Sequence, residues 1–112
     1  MMKLLFFIHL LLIPFVCGAA KYASWYGEEC EGNQTANGET FTRSAFTCAT
    51  WEHPFNSVLR VGYGGKFVLA RVNDRGPNRR FKNRILDLSE ASFAALANPK
   101  RGLIPVTIER VR

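Results

Sequence analysis

The sequence predicts a small, closed, mainly β domain with one short α-helix. Six short apolar segments are rich in β-branched and aromatic residues, and Gly- and Asn-rich turns separate them. One further segment has apolar residues at helical spacing. Six strands and one helix in about ninety residues are too few for an open doubly wound sheet. Closure into a barrel would remove the exposed strand edges, so we expect a barrel.

The first three predicted strands end at glycines or polar turns. A polar loop over residues 28–38 follows the first strand, and Gly62-Tyr63-Gly64-Gly65 after the third predicts a hairpin turn. The glycine group does not predict a phosphate-binding loop, because no helical pattern follows it. These strands cover residues 22–26, 45–50 and 57–61.

The second half of the chain supplies three more strands and the helix. The helix is predicted over residues 89–96, with Ser89 as its N-cap and Asn98-Pro99 beyond its end. Leu88, Ser92 or Phe93, and Leu96 would form its apolar face. The strands are predicted over residues 66–72, 84–87 and 103–111.

The N-terminus predicts a secretory signal peptide over residues 1–20. Lys3 precedes an uncharged apolar run from residue 4 to 16, and Gly18-Ala19-Ala20 forms a small-residue cleavage site. The run is too short for a membrane span, so we expect none after cleavage. Cys17 resembles a lipid-attachment position only weakly, because bulky residues precede it. We expect a secreted or periplasmic monomer whose single domain covers residues 21–112.

Basic residues dominate the charge. The chain carries +6, and several cations lie between residues 75 and 84. Such a cluster attracts nucleic acid, acidic cell-wall polymers or a membrane surface, although a solvated basic loop would look the same. Export disfavours nucleic acid. No metal or cofactor site is predicted, because His9 lies in the signal segment and His53 has no ligand spacing around it.

Two cysteines remain in the mature segment. An even pair in an exported chain predicts a disulfide between Cys30 and Cys48. The loop it closes would contribute about 3 kcal/mol in the chain-entropy account. The alternative is two buried free thiols.

The segment Val72-Asn73-Asp74-Arg75-Gly76-Pro77 places a carboxylate and a guanidinium where a strand meets a Gly-Pro turn. A strand end fixes side chains and a turn exposes them, which suits a polar binding or catalytic site. The alternative is an Asx-type turn with a solvated arginine.

Five ordered segments resemble the RlpA-like double-psi β-barrel family. They are 23–27 (ASWYG), 35–39 (TANGE), 54–55 (PF), 72–77 (VNDRGP) and 85–89 (ILDLS). The resemblance implies a six-stranded double-psi β-barrel that acts on cell-wall polysaccharide. Bacterial members of this family are lytic transglycosylases that cut peptidoglycan. Related barrels, barwin and expansins, bind or loosen wall glycans.

The resemblance also implies site residues. Asp74 matches the central acid, and Asp87 and Glu39 match further acidic positions, so these three are the catalytic candidates. Asp74 could instead pair with Arg75 or Arg84, Asp87 could complement the helix N-terminus, and Glu39 could be an ordinary loop acid. The substrate-binding candidates are Arg75, Trp25, Tyr26, Asn37, Thr50 and His53, with Trp51 and Tyr63 as further stacking candidates.

The chain departs from the family at one site position. Thr50 stands where members carry a histidine, while His53 lies directly before Pro54-Phe55. Three positions on a strand reverse the facing side, so His53 is not an obvious replacement. We expect a lytic transglycosylase; the alternatives are a non-catalytic expansin- or barwin-like binder of wall polysaccharide and a basic exported protein acting on another organism.

Overall fold

The structure is a computed structural model that describes residues 20–112. Six β-strands and one α-helix, α1, make up its regular structure, together with 3₁₀ turns at Glu28–Cys30 and Pro99–Arg101. The elements in chain order are β1 Lys21–Tyr26, β2 Thr47–Ala49, β3 Val58–Tyr63, β4 Lys66–Asp74, β5 Arg84–Ser89, α1 Glu90–Ala94 and β6 Ile104–Arg110.

The six strands close into a barrel in the order β1-β5-β2-β4-β3-β6. Two pairs are parallel, β1 with β5 and β2 with β4, and the remaining four pairs are antiparallel. Every strand therefore has two neighbours, and no edge is left open. The prediction of a mainly β, six-stranded barrel with one short helix is confirmed.

The glycine group after β3 forms the predicted hairpin. Tyr63 pairs with Lys66, and Gly64 and Gly65 between them have φ values of 57° and 81°. Two consecutive positive φ angles match the twist of the flanking strands and favour glycine at both positions.

Alternating strand residues fill the barrel interior with apolar side chains. Leu59, Val61, Val72, Leu86 and Leu88 are fully buried there. The helix packs against the same core through Phe93 and Leu96. Its predicted cap is confirmed, because the Ser89 hydroxyl accepts a hydrogen bond of 3.2 Å from the Ser92 amide. The α-helix is shorter than predicted, ending at Ala94.

Each parallel pair contains a register shift. In one, Cys48 lies opposite Val72 and Ala49 opposite Asp74, so Asn73 is an extra residue in β4. In the other, the pairing passes from Arg84 to Leu86 and leaves out the residue between them. A bulge of this kind reverses which side chains share a face of the sheet. The bulge residue Asn73 directly precedes Asp74 on β4, and the bulge residue Ile85 lies two positions before Asp87 on β5.

The predicted disulfide is absent. Cys30 and Cys48 are free thiols in the structure. Cys48 lies on β2 with its side chain in the fully buried core, whereas Cys30 ends a 3₁₀ turn on the outer loop. The presence of an even number of cysteines says nothing about this difference in their placement.

The predicted signal peptide lies outside the described residues, apart from Ala20, and stays a prediction. Over residues 20–112, no helix has the length and apolar character needed to cross a bilayer.

Candidate active-site cleft

A cleft of about 290 Å³ opens where β2, β4 and β5 meet the loop that follows β1. Two carboxylates, a guanidinium, a phenol and a thiol share its wall. The lining residues are Tyr26, Cys30, Asn33, Gln34, Phe41, Ala49, Asp74, Arg75 and Asp87.

Strand register explains why Asp74 and Asp87 share this cleft. Ala49 is the cross-strand partner of both, of Asp74 on β4 and of Asp87 on β5. Paired residues point to the same side of a sheet, so the two carboxylates flank Ala49 with their α-carbons about 10 Å apart, two strand spacings. The methyl side chain of Ala49 leaves the space between them open.

The two carboxylate oxygens of Asp74 have different surroundings. Its Oδ1 accepts hydrogen bonds from the backbone amides of Ala36 at 2.9 Å and Arg75 at 2.8 Å. Its Oδ2 faces the Tyr26 hydroxyl at 3.5 Å. Asp74 forms no ion pair with Arg75 or Arg84, the two alternatives that the sequence suggested, within residues 20–112. Two amide donors orient this carboxylate without neutralising it with a cation.

Asp87 has different partners. Its Oδ1 accepts a short hydrogen bond from the Ser24 hydroxyl, and the Arg84 guanidinium lies 3.7 Å away. Ser24 is the residue opposite Asp87 in the β1–β5 pair. The Asp87 side chain is 18% exposed. It contacts no amide of the helix N-terminus in the described hydrogen bonds, so its partners are strand residues instead.

Glu39 is not among the residues that line the cleft. Both of its carboxylate oxygens accept from the Arg71 guanidinium, at 2.9 and 3.0 Å, and Asn73 donates to one of them at 3.1 Å. These hydrogen bonds, those from Arg71 first, lower the pKa of Glu39 below its ordinary value. The pair fastens the loop 35–39, which carries the Ala36 amide, to β4.

Arg75 lines the cleft but is partly committed to structure. Its Nη1 donates to the carbonyls of Thr50 at 2.9 Å and His53 at 3.1 Å. The guanidinium also lies 3.8 Å over the Phe55 ring. Arg75 thus fixes the segment between β2 and β3 and also lines the cleft.

Thr50 and His53 do not line the cleft. Thr50 is 2% exposed, and its hydroxyl donates to the Ile85 carbonyl at 3.1 Å and accepts from the Glu52 amide at 3.2 Å. Thr50 is therefore a buried link between the end of β2 and β5. His53 is half-buried and meets Arg75 through its backbone.

Tyr26 lies in the cleft wall and stacks on Phe41, with ring centroids 4.6 Å apart. Burial raises the pKa of its phenol far above the ordinary value, and the negative charge of Asp74 adds to the shift. The hydroxyl therefore keeps its proton and acts as a donor beside Asp74.

Trp25 and Asn37 lie outside the cleft lining. The Trp25 indole donates to the Pro99 carbonyl at 2.9 Å and packs against the core. The Asn37 side-chain oxygen accepts from the Thr35 hydroxyl at 2.6 Å and the Glu39 amide at 3.1 Å. Both residues have structural contacts that sequence analysis did not anticipate.

Sequence analysis also missed Ser24, Ala49 and Cys30. Ser24 and Ala49 are small residues in predicted strands, and only the cross-strand register brings them to Asp87. The available signal for Ser24 was its place inside the ASWYG segment. The predicted disulfide gives Cys30 a structural role and does not indicate its position in the cleft wall.

A larger, shallow depression of about 790 Å³ lies elsewhere, between the β3–β4 hairpin and β6. It contains neither Asp74 nor Asp87, and its one acid is Glu109. We therefore place the candidate chemistry in the smaller cleft. Within residues 20–112, no cluster of three His, Cys, Asp or Glu side chains is arranged to hold a metal ion.

Comparisons with known proteins agree with this architecture. The family model described as lytic transglycolase matches residues 18–108. The endolytic peptidoglycan transglycosylase RlpA of Campylobacter jejuni is 40% identical over 89 residues, 78% of this chain and 32% of that protein. Its namesake from Neisseria meningitidis serogroup A is 42% identical over 91 residues, 80% of this chain and 37% of that protein. The chain thus spans about a third of the length of these curated relatives.

Two solved structures share the fold. The Streptomyces papain inhibitor superposes with a TM-score of 0.68 and 25% identity, covering 84% of this chain and 94% of the inhibitor. A mutant Clavibacter michiganensis expansin in complex with cellohexaose gives 0.61 and 21% identity, covering 83% of this chain and 50% of the expansin. Since the family model runs from β1 into β6 and includes every residue that lines the cleft, the chain belongs to the lytic transglycolase family and is an RlpA-like double-psi β-barrel.

Proposed function

We propose that this barrel is a peptidoglycan lytic transglycosylase domain, with Asp74 as its acid and base. The observation that carries the proposal is the state of the Asp74 carboxylate. Asp74 lines the cleft, its Oδ1 is fixed by two backbone amides, and its Oδ2 has only the Tyr26 hydroxyl nearby among the described residues, at 3.5 Å. One oriented carboxylate, open to a groove and without a cation partner, suits proton transfer to and from a sugar.

The reaction needs no water and returns the enzyme to its starting state. Protonated Asp74 gives its proton to the bridging oxygen after an N-acetylmuramic acid, and the bond from C1 to that oxygen breaks. The 6-hydroxyl oxygen of the same sugar attacks C1 and closes a 1,6-anhydro ring. The hydroxyl proton passes to the Asp74 carboxylate, which is then ready for the next cycle.

Asp87 and Tyr26 support this step from the cleft wall. Asp87, on the other side of Ala49, places a second carboxylate where positive charge develops at C1. The Tyr26 hydroxyl donates toward Oδ2 and orients it. Arg75 presents guanidinium nitrogens to planar oxygens of the sugar substituents. Glu39 fits a positioning role, because it anchors the loop whose Ala36 amide binds Asp74.

The relatives support the substrate class. The Campylobacter and Neisseria proteins are named endolytic peptidoglycan transglycosylases, and they match across the segment that holds the cleft. The predicted signal peptide supports action outside the cytoplasm, and we extend the proposal to a secreted or periplasmic monomer that acts on peptidoglycan and binds no nucleic acid.

A second candidate is a non-catalytic binder of wall polysaccharide. Thr50 favours it, because the position at which the resemblance implies a histidine carries a buried hydroxyl that already donates to the Ile85 carbonyl. A binder would keep the cleft and its contacts with sugar while lacking the full set of reacting groups.

Digestion of purified glycan strands separates the two candidates. The strands are incubated with the wild-type protein, Asp74→Asn and Glu109→Gln, and the products are identified by mass spectrometry. We expect 1,6-anhydro ends from the wild type and Glu109→Gln, whose acid lies outside the cleft, and none from Asp74→Asn. Sedimentation of the wild type with peptidoglycan without anhydro ends would favour the binder and reject the enzyme.

A further inference from the structure

A second concavity, of about 200 Å³, lies between the segment after β2 and the loop between β4 and β5. Its size is below that of pockets for whole drug-sized ligands, so it suits a single substituent. It is basic and aromatic where the cleft is acidic. Its lining residues are Trp51, Glu52, Pro77, Arg79, Phe81, Lys82, Arg84 and Ile85. We refer to it as the basic pocket.

Aromatic rings hold two of its guanidinium groups in place. Arg79 lies 4.0 Å over the Trp51 ring, and Arg84 lies 4.8 Å over the Phe81 ring. The Trp51 ring is itself fixed, because its indole N–H donates to the Pro77 carbonyl at 2.8 Å. A guanidinium stacked on a fixed ring keeps its N–H edge free, and it loses little conformational freedom when it binds a planar anion.

The charges of the basic pocket are not balanced from within. Three cations, Arg79, Lys82 and Arg84, face one acid, Glu52. Neither Arg79 nor Lys82 forms an ion pair anywhere in residues 20–112. In addition, the Arg84 Nε is buried without a hydrogen-bond partner among the described residues. A buried donor without a partner is costly unless a ligand or water supplies the acceptor.

The basic pocket adjoins the cleft. Arg84 lines it and also lies 3.7 Å from Asp87, which lines the cleft. The β5 bulge at Ile85 explains this contact, because the extra residue turns positions 84 and 87 toward the same side. One polymer can therefore occupy the cleft and place a side group in the basic pocket.

The geometry points to a subsite for the carboxylate of a sugar residue next to the one that reacts. Arg79 and Lys82 bind the carboxylate oxygens, and the ring-stacked guanidinium supplies a two-pronged contact. N-Acetylmuramic acid carries such a carboxylate on its lactyl ether. The inference rests on the proposed function for its choice of polymer. It makes the loop between β4 and β5, which carries Arg79 and Lys82, a specificity-determining element.

Binding, rather than cleavage, tests the subsite. All proteins carry Asp74→Asn, so that the strands stay intact during the measurement. The test variant adds Arg79→Gln with Lys82→Gln, and the matched control adds Arg60→Gln with Lys66→Gln, which removes the same charge from the β3–β4 hairpin. Affinity is measured for peptide-free glycan strands, for the same strands with their carboxylates converted to amides, and for polyphosphate.

We expect the test variant to bind the free-carboxylate strands more than about 10-fold more weakly than its parent, as loss of hydrogen bonds to a charged group implies. Parent and test variant should bind the amidated strands equally, and the control should match the parent throughout. An equal loss on amidated strands, no loss on free-carboxylate strands, or polyphosphate binding with the same loss would overturn the subsite. The proposed function fails separately, if wild-type protein yields no anhydro ends while this carboxylate-dependent difference persists.

Discussion

Asp74 and Glu39 are two carboxylates held against the same strand end in opposite ways. Asp74 ends β4 and lines the cleft, and neutral amides fix one of its oxygens while the other lies 3.5 Å from the Tyr26 hydroxyl. Glu39 reaches β4 from the loop, and a guanidinium binds both of its oxygens. The guanidinium of Arg71 contacts both oxygens of Glu39, whereas the two amides contact only the Oδ1 of Asp74 and leave its Oδ2 without an amide or cation partner among the described residues. Under the proposed function, the binding partner of each carboxylate, more than its residue type, distinguishes the catalytic Asp74 from the anchoring Glu39.

Replacement of Asp74 by Asn should have the largest effect. The Asn oxygen can still accept from the amides of Ala36 and Arg75, but the side chain cannot exchange a proton. We expect kcat/KM on glycan strands to fall about 10³-fold, within the range for a lost general acid–base group. Unfolding free energy should change by about 1 kcal/mol or less, because the hydrogen bonds persist. A variant with a tenth or more of wild-type activity would exclude Asp74 as the acid.

Chemical modification of Cys30 should block the cleft that contains Asp74 and inhibit the enzyme. Burial, followed by the charge of Glu29, raises the pKa of the Cys30 thiol, but Cys30 is partly exposed in the cleft wall. Cys48 is fully buried, and this burial raises the pKa of its thiol to about 12. We expect a maleimide to modify Cys30 and leave Cys48 intact, as peptide mass spectrometry would show, with activity falling in step with the modified fraction. Cys30→Ala should keep its activity in the reagent. Inhibition of that variant to the same degree would place the reactive group elsewhere.

Loss of the Tyr26 hydroxyl should have a smaller effect. Phe retains the stacking on Phe41 but cannot donate toward the Asp74 Oδ2. We expect kcat to fall about 5-fold, the equivalent of roughly 1 kcal/mol for one hydrogen bond. Tyr63→Phe is the matched control, because that phenol lies on the β3–β4 hairpin. Equal effects of the two substitutions would show that the hydroxyl does not act through Asp74.

The different environments of Asp74 and Glu39 show which features of the site could be predicted from the sequence. Alternation and turn residues predicted all six strands to within a few residues, because burial on one face imposes a period of two. The motif around Asp74 predicted a site at the end of β4. The bulge at Asn73 could not be predicted, since an extra residue leaves no local signature, and it is this bulge that places Asp74, instead of Asn73, opposite Ala49.

The disulfide prediction failed for a related reason. A disulfide predicted from the number of cysteines assumes that the two thiols lie close together. The path of the chain determines whether they do. Cys48 faces the barrel core from β2, and Cys30 lies on the loop outside. The same limit applies to Thr50, whose role as a link to the Ile85 carbonyl depends on strand order.

Replacement of Glu39 by Gln should reduce activity far less than Asp74→Asn. Glu39 acts on the cleft through the loop that carries the Ala36 amide, so we expect less than about a 10-fold loss in kcat/KM. A double-mutant cycle with Arg71→Gln should give a coupling energy of about 1 kcal/mol or less in unfolding experiments, because the pair is partly exposed. A loss equal to that of Asp74→Asn, with stability unchanged, would assign Glu39 a direct part in the reaction.

The smallest effect should appear in the pH dependence of stability. Arg71 lowers the pKa of Glu39 in the folded protein below its ordinary value of 4.5. The folded state therefore binds this proton less readily than the unfolded state, so the stabilising contribution is complete above pH 4.5 and is lost as the pH falls through the lower, folded pKa. Urea unfolding of the wild type and Glu39→Gln should thus show a difference at pH 7 that shrinks in acid. A constant difference would mean that the Glu39 charge does not stabilise the loop, and the contrast with Asp74 would then rest on position in the cleft alone.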